Sequence, residues 1–435
     1  MKKSIYNNNI KVSEEYWLIY NTYTDMYIIA NQKLYDLFIN QHPSILKEYT
    51  QFYNQLLEAG CIIQGDTDEI NLLKKRLIEV ESKKDIYSLT INPTINCNFK
   101  CWYCYEEHIP HSTMDKQTLE NVKRHMQKSI EEKHLKGFNL GFFGGEPLLY
   151  YKDIVYPLLS YLSSICKKHE LNYSVGFTSN GYLLTDKIIK ELKDFKVSSF
   201  QITLDGDKES HNKVRYPFIG ADSYSKITEN IKKLLNVGIS VILRINYTSE
   251  NLSKTQLIAD DFCDLSETEK SFLQVDFQRV WQDRNNKSSL VGKGLLDKCI
   301  RTFNYKGITV SAPTINQVLA PCYADKEQQV LINYNGDVYK CTARDFTKEN
   351  RLGILNEDGT ITWDEEKMKQ REGVRLSKEV CQRCRIAPIC GGTCTQRGLD
   401  SGDSNQCIRG LDESGKDKIV LNQFYYNIVK NEVPI

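Results

Sequence analysis

The sequence lacks a long apolar segment, since no run of about eighteen apolar residues occurs anywhere in the chain. No apolar segment follows the two lysines at the amino terminus either, so a secretory signal is not predicted. Without a membrane span or an export signal, we expect a cytoplasmic protein that has no membrane partner.

The sequence also has almost no net charge, because 57 Lys and Arg residues offset 56 Asp and Glu residues. Proteins that bind nucleic acid usually show a strong basic excess, so no nucleic-acid partner is predicted. Low-complexity segments and internal repeats are absent, which argues against a solenoid. A chain of 435 residues usually forms two or three domains.

Cysteine, in contrast, is abundant: the chain has 14. In a reducing cytoplasm, clustered cysteines bind metal more often than they form disulfides. Four cysteines stand alone in apolar or helical surroundings and are predicted to be small core residues: Cys61, Cys166, Cys263 and Cys299. The other ten fall in groups whose spacing suggests metal sites.

The first 85 residues have the pattern of a small winged-helix unit. Residues 16–30 contain two aromatic and β-branched runs around a polar turn, which predicts a hairpin. Helical periodicity follows at residues 34–38 and 46–57, with Gly60 as the stop and a short strand after it. Residues 66–85 are predicted to be a connecting helix, which ends the first domain, residues 1–85.

Between residues 86 and 310, strands and helices alternate six times. Alternation of this kind predicts an α/β domain with a covered parallel sheet, here a partial (β/α)6 TIM-like barrel. Chemistry in such a barrel is expected at the carboxyl ends of the strands. The predicted strands are residues 88–93, 138–143, 173–178, 199–204, 239–246 and 272–280.

Directly after the first of these strands, Cys97, Cys101 and Cys104 form a C-x3-C-x2-C triplet. An iron-sulfur cubane normally takes four thiolates, so three leave one iron open to a chelating substrate. A structural zinc site is the alternative, with His108 or His111 as the fourth ligand.

The triplet, its place after the first strand and the aromatic Tyr103 resemble the signature of the radical S-adenosylmethionine (SAM) superfamily. The resemblance implies that the open iron of a 4Fe-4S cluster binds the amino and carboxylate groups of SAM. One electron from the cluster then cleaves a carbon-sulfur bond, and a 5′-deoxyadenosyl radical abstracts hydrogen from the substrate.

Further segments at predicted strand ends resemble SAM contacts of this family. Strand two ends in Gly144-Gly145-Glu146-Pro147, which matches the motif that binds the SAM amino group. Strands three and four end in segments that resemble those holding the ribose and the methionine carboxylate. From these two strand ends the resemblance implies Ser179, Asn180, Thr203, Asp205 and Arg215, with Thr203 and Arg215 preferred. For Arg244 and Asn246 at the fifth strand end, a place in the site and a structural role are equally open.

Seven more cysteines occur in the last third of the chain, in the pattern C-x18-C, then C-x2-C-x5-C-x3-C, x12 and C. So many thiols in one loop-rich segment predict at least one metal site, with two zinc ions as an alternative. The segment resembles the SPASM domain of enzymes that mature peptides and sulfatases. This predicts a third domain, residues 311–435, with two auxiliary 4Fe-4S clusters.

The resemblance implies a ligand set for each auxiliary cluster. The inner cluster takes Cys322, Cys341 and Cys394, and the outer cluster takes Cys381, Cys384, Cys390 and Cys407. The inner set is one thiolate short. Its fourth position is open, filled by a substrate thiol, or closed by another residue such as Asp325 or Cys299.

The amino-terminal pattern resembles the RiPP recognition element, a winged-helix unit related to PqqD that binds leader peptides of ribosomally made precursors. Leader capture would add an extended strand to an exposed sheet edge. The alternatives are a purely structural cap and a DNA-binding winged helix, although the segment has few arginines.

Together these resemblances predict a radical SAM peptide maturase that acts on a precursor peptide and forms a thioether or carbon-carbon cross-link. The expected partners are the precursor, bound through its leader, and a one-electron reductant such as flavodoxin or ferredoxin. The alternatives are an anaerobic sulfatase maturase, which forms formylglycine, and a non-catalytic iron-sulfur electron-transfer protein. No general base is identifiable from the sequence.

Overall fold

The computed structural model describes residues 1–285, 292–312, 314–402 and 405–426. Its backbone divides into two compact units, which are described one at a time. Unit one comprises Met1–Lys83, Ala312–Glu327 and Glu365–Ile435, and unit two comprises Lys84–Ser311 and Gln328–Asp364. The division into three domains at residues 85 and 310 stays a prediction.

The amino-terminal part of unit one is a three-stranded antiparallel sheet followed by helices. Its strands are β1 (Lys2–Lys3), β2 (Asn7–Lys11), β3 (Tyr16–Asn21), β4 (Met26–Asn31) and β5 (Ile62–Ile63). Its helices are α1 (Gln32–Ile39), α2 (Ser44–Glu48), α3 (Thr50–Glu58) and α4 (Glu69–Glu81). The sheet order is β2-β3-β4, and β1 pairs with β5. The predicted hairpin is thus β3 and β4, whereas β2 was not predicted.

Local chemistry explains where these elements begin and end. The Asn31 side chain accepts a hydrogen bond from the Leu34 amide at 3.0 Å and so caps the start of α1. Gly60 follows α3 with a φ of +69°, and a Cβ there would lie 2.7 Å from the Thr24 methyl group. Apolar residues of the sheet and helices share one core: Ile19, Ala30, Phe38, Ile45, Phe52 and Leu56.

Unit two is built on one 11-stranded sheet. Its strands are β6 (Ile86–Ile91), β7 (Gly137–Phe142), β8 (Asn172–Thr178), β9 (Val197–Leu204), β10 (Ser240–Tyr247), β11 (Leu273–Arg279), β12 (Thr309–Val310), β13 (Gln329–Ile332), β14 (Asp337–Tyr339), β15 (Gly353–Leu355) and β16 (Ile361–Trp363). The order is β12-β11-β10-β9-β8-β7-β6-β13-β14-β15-β16. The strands from β12 to β13 in this order run parallel, and the last three pairings are antiparallel.

The six strands predicted for the barrel correspond to β6–β11, so the parallel α/β sheet is confirmed. Alternate residues of β6 are buried on one side, Tyr87, Leu89 and Ile91, where they join the large core of unit two. The helices of this unit are α5 (Lys116–Glu132), α6 (Tyr156–Lys168), α7 (Asp186–Asp194), α8 (Lys208–Val214), α9 (Ser223–Asn236), α10 (Glu267–Ser271) and α11 (Gly292–Tyr305). Because parallel strands end at one edge, this order brings the loops after β6–β11 together.

The remaining helices belong to unit one: α12 (Glu365–Arg371), α13 (Glu379–Gln382), α14 (Ala387–Cys390), α15 (Thr395–Asp400) and α16 (Glu413–Phe424). They share two cores with the amino-terminal part of the unit. In one core, Ile10, Leu18 and Tyr20 of the sheet contact Ile386, Ile389 and Val420. In the other, Tyr6 and Leu73 contact Val318, Leu376 and Ala387. The cysteine-rich segment therefore packs directly on the amino-terminal sheet.

Three of the four single cysteines are core residues, as predicted: Cys61, Cys166 and Cys299 are at most 1% exposed. The prediction for Cys263 is wrong, because this residue is exposed. Cys263 directly follows the 3-10 segment Leu252–Phe262, whose buried residues include Leu252, Ile258 and Phe262, and it lies outside that buried face. Among the described residues, no helix is long and apolar enough to cross a membrane.

A buried histidine joins α5 to the turn between β15 and β16. His125 is 6% exposed, its Nε2 lies 2.7 Å from the Tyr87 hydroxyl, and its Nδ1 lies 2.8 Å from the Gly359 carbonyl oxygen. The carbonyl requires a proton on Nδ1, so Nε2 accepts from Tyr87 in the neutral ring. Burial lowers the pKa of His125 to about 4.

We therefore predict that unit two loses stability as the pH falls from about 6.5 to about 4. In this window the unfolded chain binds a proton at His125 and the folded chain does not, which costs up to about 3 kcal/mol. Thermal melts of the wild type and His125→Gln test this. The variant should be less stable at pH 7 and lose less stability on acidification, and equal pH slopes would contradict the prediction.

Candidate active site

A cavity of about 190 Å³ lies at the carboxyl ends of the parallel strands of unit two. Most of the site residues predicted from the sequence line it: Cys97, Cys101, Tyr103, Cys104, Gly144, Gly145, Ser179, Asn180, Thr203 and Arg215. Arg244 and Asn246, left open from the sequence, line it as well. Glu146, Pro147 and Asp205 are not among the lining residues. The strand order thus brings four separate loops around one space.

The loop after β6 presents the three thiols to this cavity. The Cys104 amide donates to the Cys101 carbonyl at 3.1 Å, and the Asn180 side chain donates to Asn98 Oδ1 at 2.8 Å. Phe99, 1% exposed, anchors the loop in the core. Burial raises the pKa of each thiol, so binding metal there requires the release of protons. Three thiols on one cavity fit a cluster held by three thiolates.

The two glycines after β7 allow the backbone to approach the cysteine loop closely. Gly144 and Gly145 have φ values of +80° and +46°. A Cβ on Gly145 would lie 2.1 Å from the Asn96 carbonyl oxygen. No side chain fits there, so both the conformation and the space require glycine.

Glu146 is fully buried and connects three strand ends. Its amide donates to the Asn96 carbonyl at 2.9 Å, and its carboxylate accepts from the Ser179 hydroxyl at 2.8 Å and the Asn180 amide at 2.7 Å. Burial raises its pKa to about 7. In this structure the carboxylate holds the loops together, and its predicted contact with the SAM amino group stays a prediction.

Arg215 is a buried cation beside the cysteine loop. Its Nη1 donates to the Tyr103 hydroxyl at 2.8 Å, and Tyr103 donates to Asp205 Oδ2 at 2.5 Å. Burial raises the pKa of Asp205 to about 6. Arg215 Nε and Asp205 Oδ1 are buried and have no hydrogen-bond partner among the described residues. The arginine thus has donor capacity left for an anionic group in the cavity.

A model of the radical SAM superfamily matches residues 91–261 of the chain. This segment contains the cysteine triplet, both glycines and Arg215. The chain contains a radical SAM domain. Enzymes of this superfamily use SAM and a 4Fe-4S cluster, and the three thiols of the cavity suit that cluster.

Two curated proteins show how far the similarity extends. The radical SAM cyclopropyl synthase TigE of Paramaledivibacter caminithermalis is 22% identical over 417 residues, which is 90% of this chain and 85% of that protein. A cysteine-type anaerobic sulfatase-maturating enzyme of Clostridium perfringens is 24% identical over 353 residues, 73% of this chain and 91% of that protein.

Solved structures show the same fold. Streptococcus suis SuiB bound to S-adenosylmethionine superposes with a TM-score of 0.53 at 15% identity, over 94% of this chain and 100% of that chain. Native anSMEcpe with bound AdoMet superposes with a TM-score of 0.55 at 19% identity, over 79% of this chain and 97% of that chain.

Other residues that line the cavity were not predicted from the sequence. Glu106 accepts from the Gly145 amide at 2.6 Å, and burial raises its pKa to about 7. Gln282 donates to the Tyr103 carbonyl at 3.1 Å, and Trp281 stacks on Tyr105 at 5.9 Å. The one feature of the sequence that could have identified these residues is their position just after a cysteine motif or a barrel strand.

A second cavity lies in unit one and is lined by Cys381, Cys384, Cys390 and Cys407. The same four thiols were predicted from the sequence to form one set. Among the described residues, no three or more His, Cys, Asp or Glu side chains are grouped to hold a single metal ion. The thiols therefore surround one space without the close spacing of a single-ion site.

We predict that Gly145→Ala lowers the rate of SAM cleavage by about a hundredfold. The added Cβ would displace the cysteine loop, and a shift of about 1 Å at a reacting centre lowers the rate on the order of a hundredfold. Gly137→Ala, at the start of β7, is the control, because its Cβ would meet no atom closer than 3.6 Å. Bound iron and 5′-deoxyadenosine formation are measured, and full activity of Gly145→Ala would contradict the prediction.

Proposed function

We propose that this radical SAM enzyme matures a ribosomally made precursor peptide by installing a thioether or carbon-carbon cross-link. The observation that carries the proposal is similarity along nearly the whole chain to proteins that act on or bind peptides. SuiB has been solved bound to its precursor peptide SuiA, and that structure covers 94% of this chain with a TM-score of 0.53. TigE, a cyclopropyl synthase by name, aligns over 90% of the chain.

In this proposal, Cys97, Cys101 and Cys104 hold the cluster that binds and cleaves SAM. When bound, the cluster supplies one electron, and the 5′-deoxyadenosyl radical removes a hydrogen atom from the peptide. The chain's own residues orient SAM: Gly144 and Gly145 allow close approach, and Arg215 offers an unpaired Nε to a carboxylate. Ser179, Asn180 and Thr203 line the same cavity and supply polar contacts.

We assign an auxiliary cluster to Cys381, Cys384, Cys390 and Cys407, because all four thiols line one cavity. A cluster there would accept the electron that a substrate radical must lose when a cross-link forms. The assignment of Cys322, Cys341 and Cys394 to an inner cluster rests on sequence spacing and the SPASM resemblance.

Two candidates for the fourth inner ligand differ in their surroundings. The Cys299 thiol donates to the Leu252 carbonyl in the core of unit two, at 3.4 Å, which argues against ligation. Asp325 accepts from the amide of Thr395, the residue after Cys394, at 3.2 Å. Its other oxygen lies 3.8 Å from Arg375 Nη1. Asp325 and a substrate thiol therefore remain the proposed alternatives.

We further propose that the amino-terminal sheet binds the leader peptide. The order β2-β3-β4 places β4 at a sheet edge, and the helices α1–α3 follow it, which is the arrangement expected of a winged-helix recognition element. An extended leader would add to this edge through main-chain hydrogen bonds. Met26 and Ile29 of β4 are 39% and 45% exposed and would contact the leader.

Formylglycine formation on a sulfatase is the second candidate. It is favoured by the similarity to the C. perfringens sulfatase-maturating enzyme and by the anSMEcpe structure. Two features argue against this candidate: the amino-terminal segment of about 85 residues, and the absence of a fourth cysteine for the inner cluster. Mass spectrometry of a peptide co-expressed with the enzyme separates the candidates, since a cross-link removes two hydrogens and formylglycine introduces an aldehyde.

We predict that the anaerobically reconstituted enzyme binds about twelve irons, four in each of three clusters. Replacing Cys97, Cys101 and Cys104 together by Ala should leave about two thirds of the iron and abolish 5′-deoxyadenosine formation. Iron analysis gives the metal content, and chromatography of reduced samples incubated with SAM gives the amount of 5′-deoxyadenosine. Unchanged SAM cleavage by the triple variant, or zinc in place of iron, would refute the assignment.

The leader prediction is tested with point variants, because deleting the amino-terminal sheet would expose the core that it shares with the cysteine-rich segment. Met26→Lys combined with Ile29→Lys should weaken precursor binding at least about tenfold, since lysines on an edge strand oppose strand addition. Ile78→Lys, at an exposed apolar position on α4 outside the sheet, is the control. Fluorescence anisotropy of the labelled precursor gives the affinities, and equal values would leave only a structural role.

A further inference from the structure

The four-thiol cavity of unit one also contains two cationic side chains, Arg409 and Lys416. Lys416 lies in the first turn of α16, and only 14% of its side chain is exposed. The apolar residues Leu411 and Ile419 pack beside Cys384 and Cys390 in the same core. A partly buried lysine in apolar surroundings is costly unless it has partners, so its presence beside four thiols needs an explanation.

Glu413 holds the ammonium group of Lys416 in place. Lys416 Nζ donates to Glu413 Oε1 at 2.5 Å, and Arg385 Nε donates to Glu413 Oε2 at 2.9 Å. Arg385 is itself fixed, because its Nη1 donates to Asn8 Oδ1 at 2.6 Å and its Nη2 lies 2.8 Å from Asp417 Oδ1. Two cations thus share one carboxylate that is 71% exposed and therefore well screened by solvent.

The balance of charge around Lys416 leaves a positive charge facing the thiols. Lys416 Nζ donates to the carboxylate of Glu413, so the side chain is a paired ammonium at neutral pH. Lys416 and the four thiols line the same cavity. The lysine and the thiols therefore interact electrostatically across the cavity.

We propose that Lys416 is a charge-compensating residue that raises the reduction potential of the auxiliary cluster bound by these four cysteines. The inference rests on the proposed function, because it requires that cluster. Each electron accepted adds one negative charge to a cluster that four thiolates already make anionic. A nearby cation stabilises the reduced form more than the oxidised form, since interactions between charges are strong at a site shielded from water. The cluster is then better suited to accept an electron.

The test compares midpoint potentials in reconstituted holoenzyme. Electron paramagnetic resonance is recorded during a redox titration, and the signal of the four-cysteine cluster is identified as the one lost when Cys381 and Cys384 are both replaced by Ala. Lys416→Met removes the charge and keeps an unbranched side chain. We expect the midpoint of this signal alone to shift to a more negative potential, while the other signals stay unchanged.

Two further variants test the direction of the potential shift and provide a control. Glu413→Gln removes a negative charge beside the lysine and should shift the same midpoint to a more positive potential. Lys418 lies two residues further along α16 and its side chain is exposed, so Lys418→Met should leave the midpoint unchanged. An unchanged midpoint in Lys416→Met, or an equal shift in Lys418→Met, would overturn the proposal.

If Lys416→Met loses iron, its midpoint cannot be measured, and Lys416→Arg, which keeps the charge, is measured instead. A wild-type midpoint in Lys416→Arg supports the proposal, and a midpoint shifted to a clearly more negative potential in that variant overturns it. A wild type with about eight irons and no four-cysteine signal would overturn the cluster assignment and this proposal together. If that protein still forms 5′-deoxyadenosine, the proposed SAM cleavage is not contradicted.

Discussion

The buried main chain and carboxylate of Glu146 make the contacts on which the active site depends. Its amide donates to the carbonyl of Asn96, one residue before Cys97, and its carboxylate accepts from Ser179 and Asn180 after the next strand. A buried carboxylate is tolerated only where donors satisfy it, so these loops have little freedom to move apart. The cysteine loop, the glycine turn and the polar residues after β8 consequently form one wall of the cavity.

In unit one, a similar dependence links the amino-terminal sheet to the cysteine-rich segment. One face of the sheet packs on the helices α1–α3, and the other packs on Ile386, Ile389 and Val420 around the four-thiol cavity. Asn8 and Thr22 also bond to Arg385, the residue that follows Cys384. A sheet proposed to bind a leader is thus part of the framework of a proposed cluster, so that neither can be removed without exposing the core of the other.

Both thiol-lined cavities place a cation next to the cysteines, but they hold it differently. Arg215 is buried with Tyr103 and Asp205 and keeps a donor unpaired, which suits a ligand that arrives from outside. Lys416 is held by a carboxylate near the surface and faces four thiols of its own unit. The first arrangement favours binding of an anionic molecule, whereas the second favours a permanent charge beside a resident group.

Much of the site could be predicted from the sequence, because the identity and spacing of residues in one loop are local properties. The Cys97-Cys101-Cys104 triplet, the glycines after β7 and the six parallel strands were all predicted in this way. Predictions that required the direction of a side chain were less complete. Cys263 was placed in the core and lies at the surface. Glu106 and Gln282 were missed although they follow a cysteine motif and a barrel strand, and no local feature of the sequence marks Lys416.

The sequence by itself determined the radical SAM signature, the loop that carries three closely spaced thiols and the parallel sheet on which that loop lies. These follow from residue type, short spacing and the period of apolar residues, none of which needs knowledge of distant contacts. Only the tertiary structure decided that Glu146 joins the loops rather than lining the cavity, and that the amino-terminal sheet shares a core with the cysteine-rich segment. Only it placed Lys416 among four thiols, because such contacts join residues far apart in the chain, and packing alone brings them together.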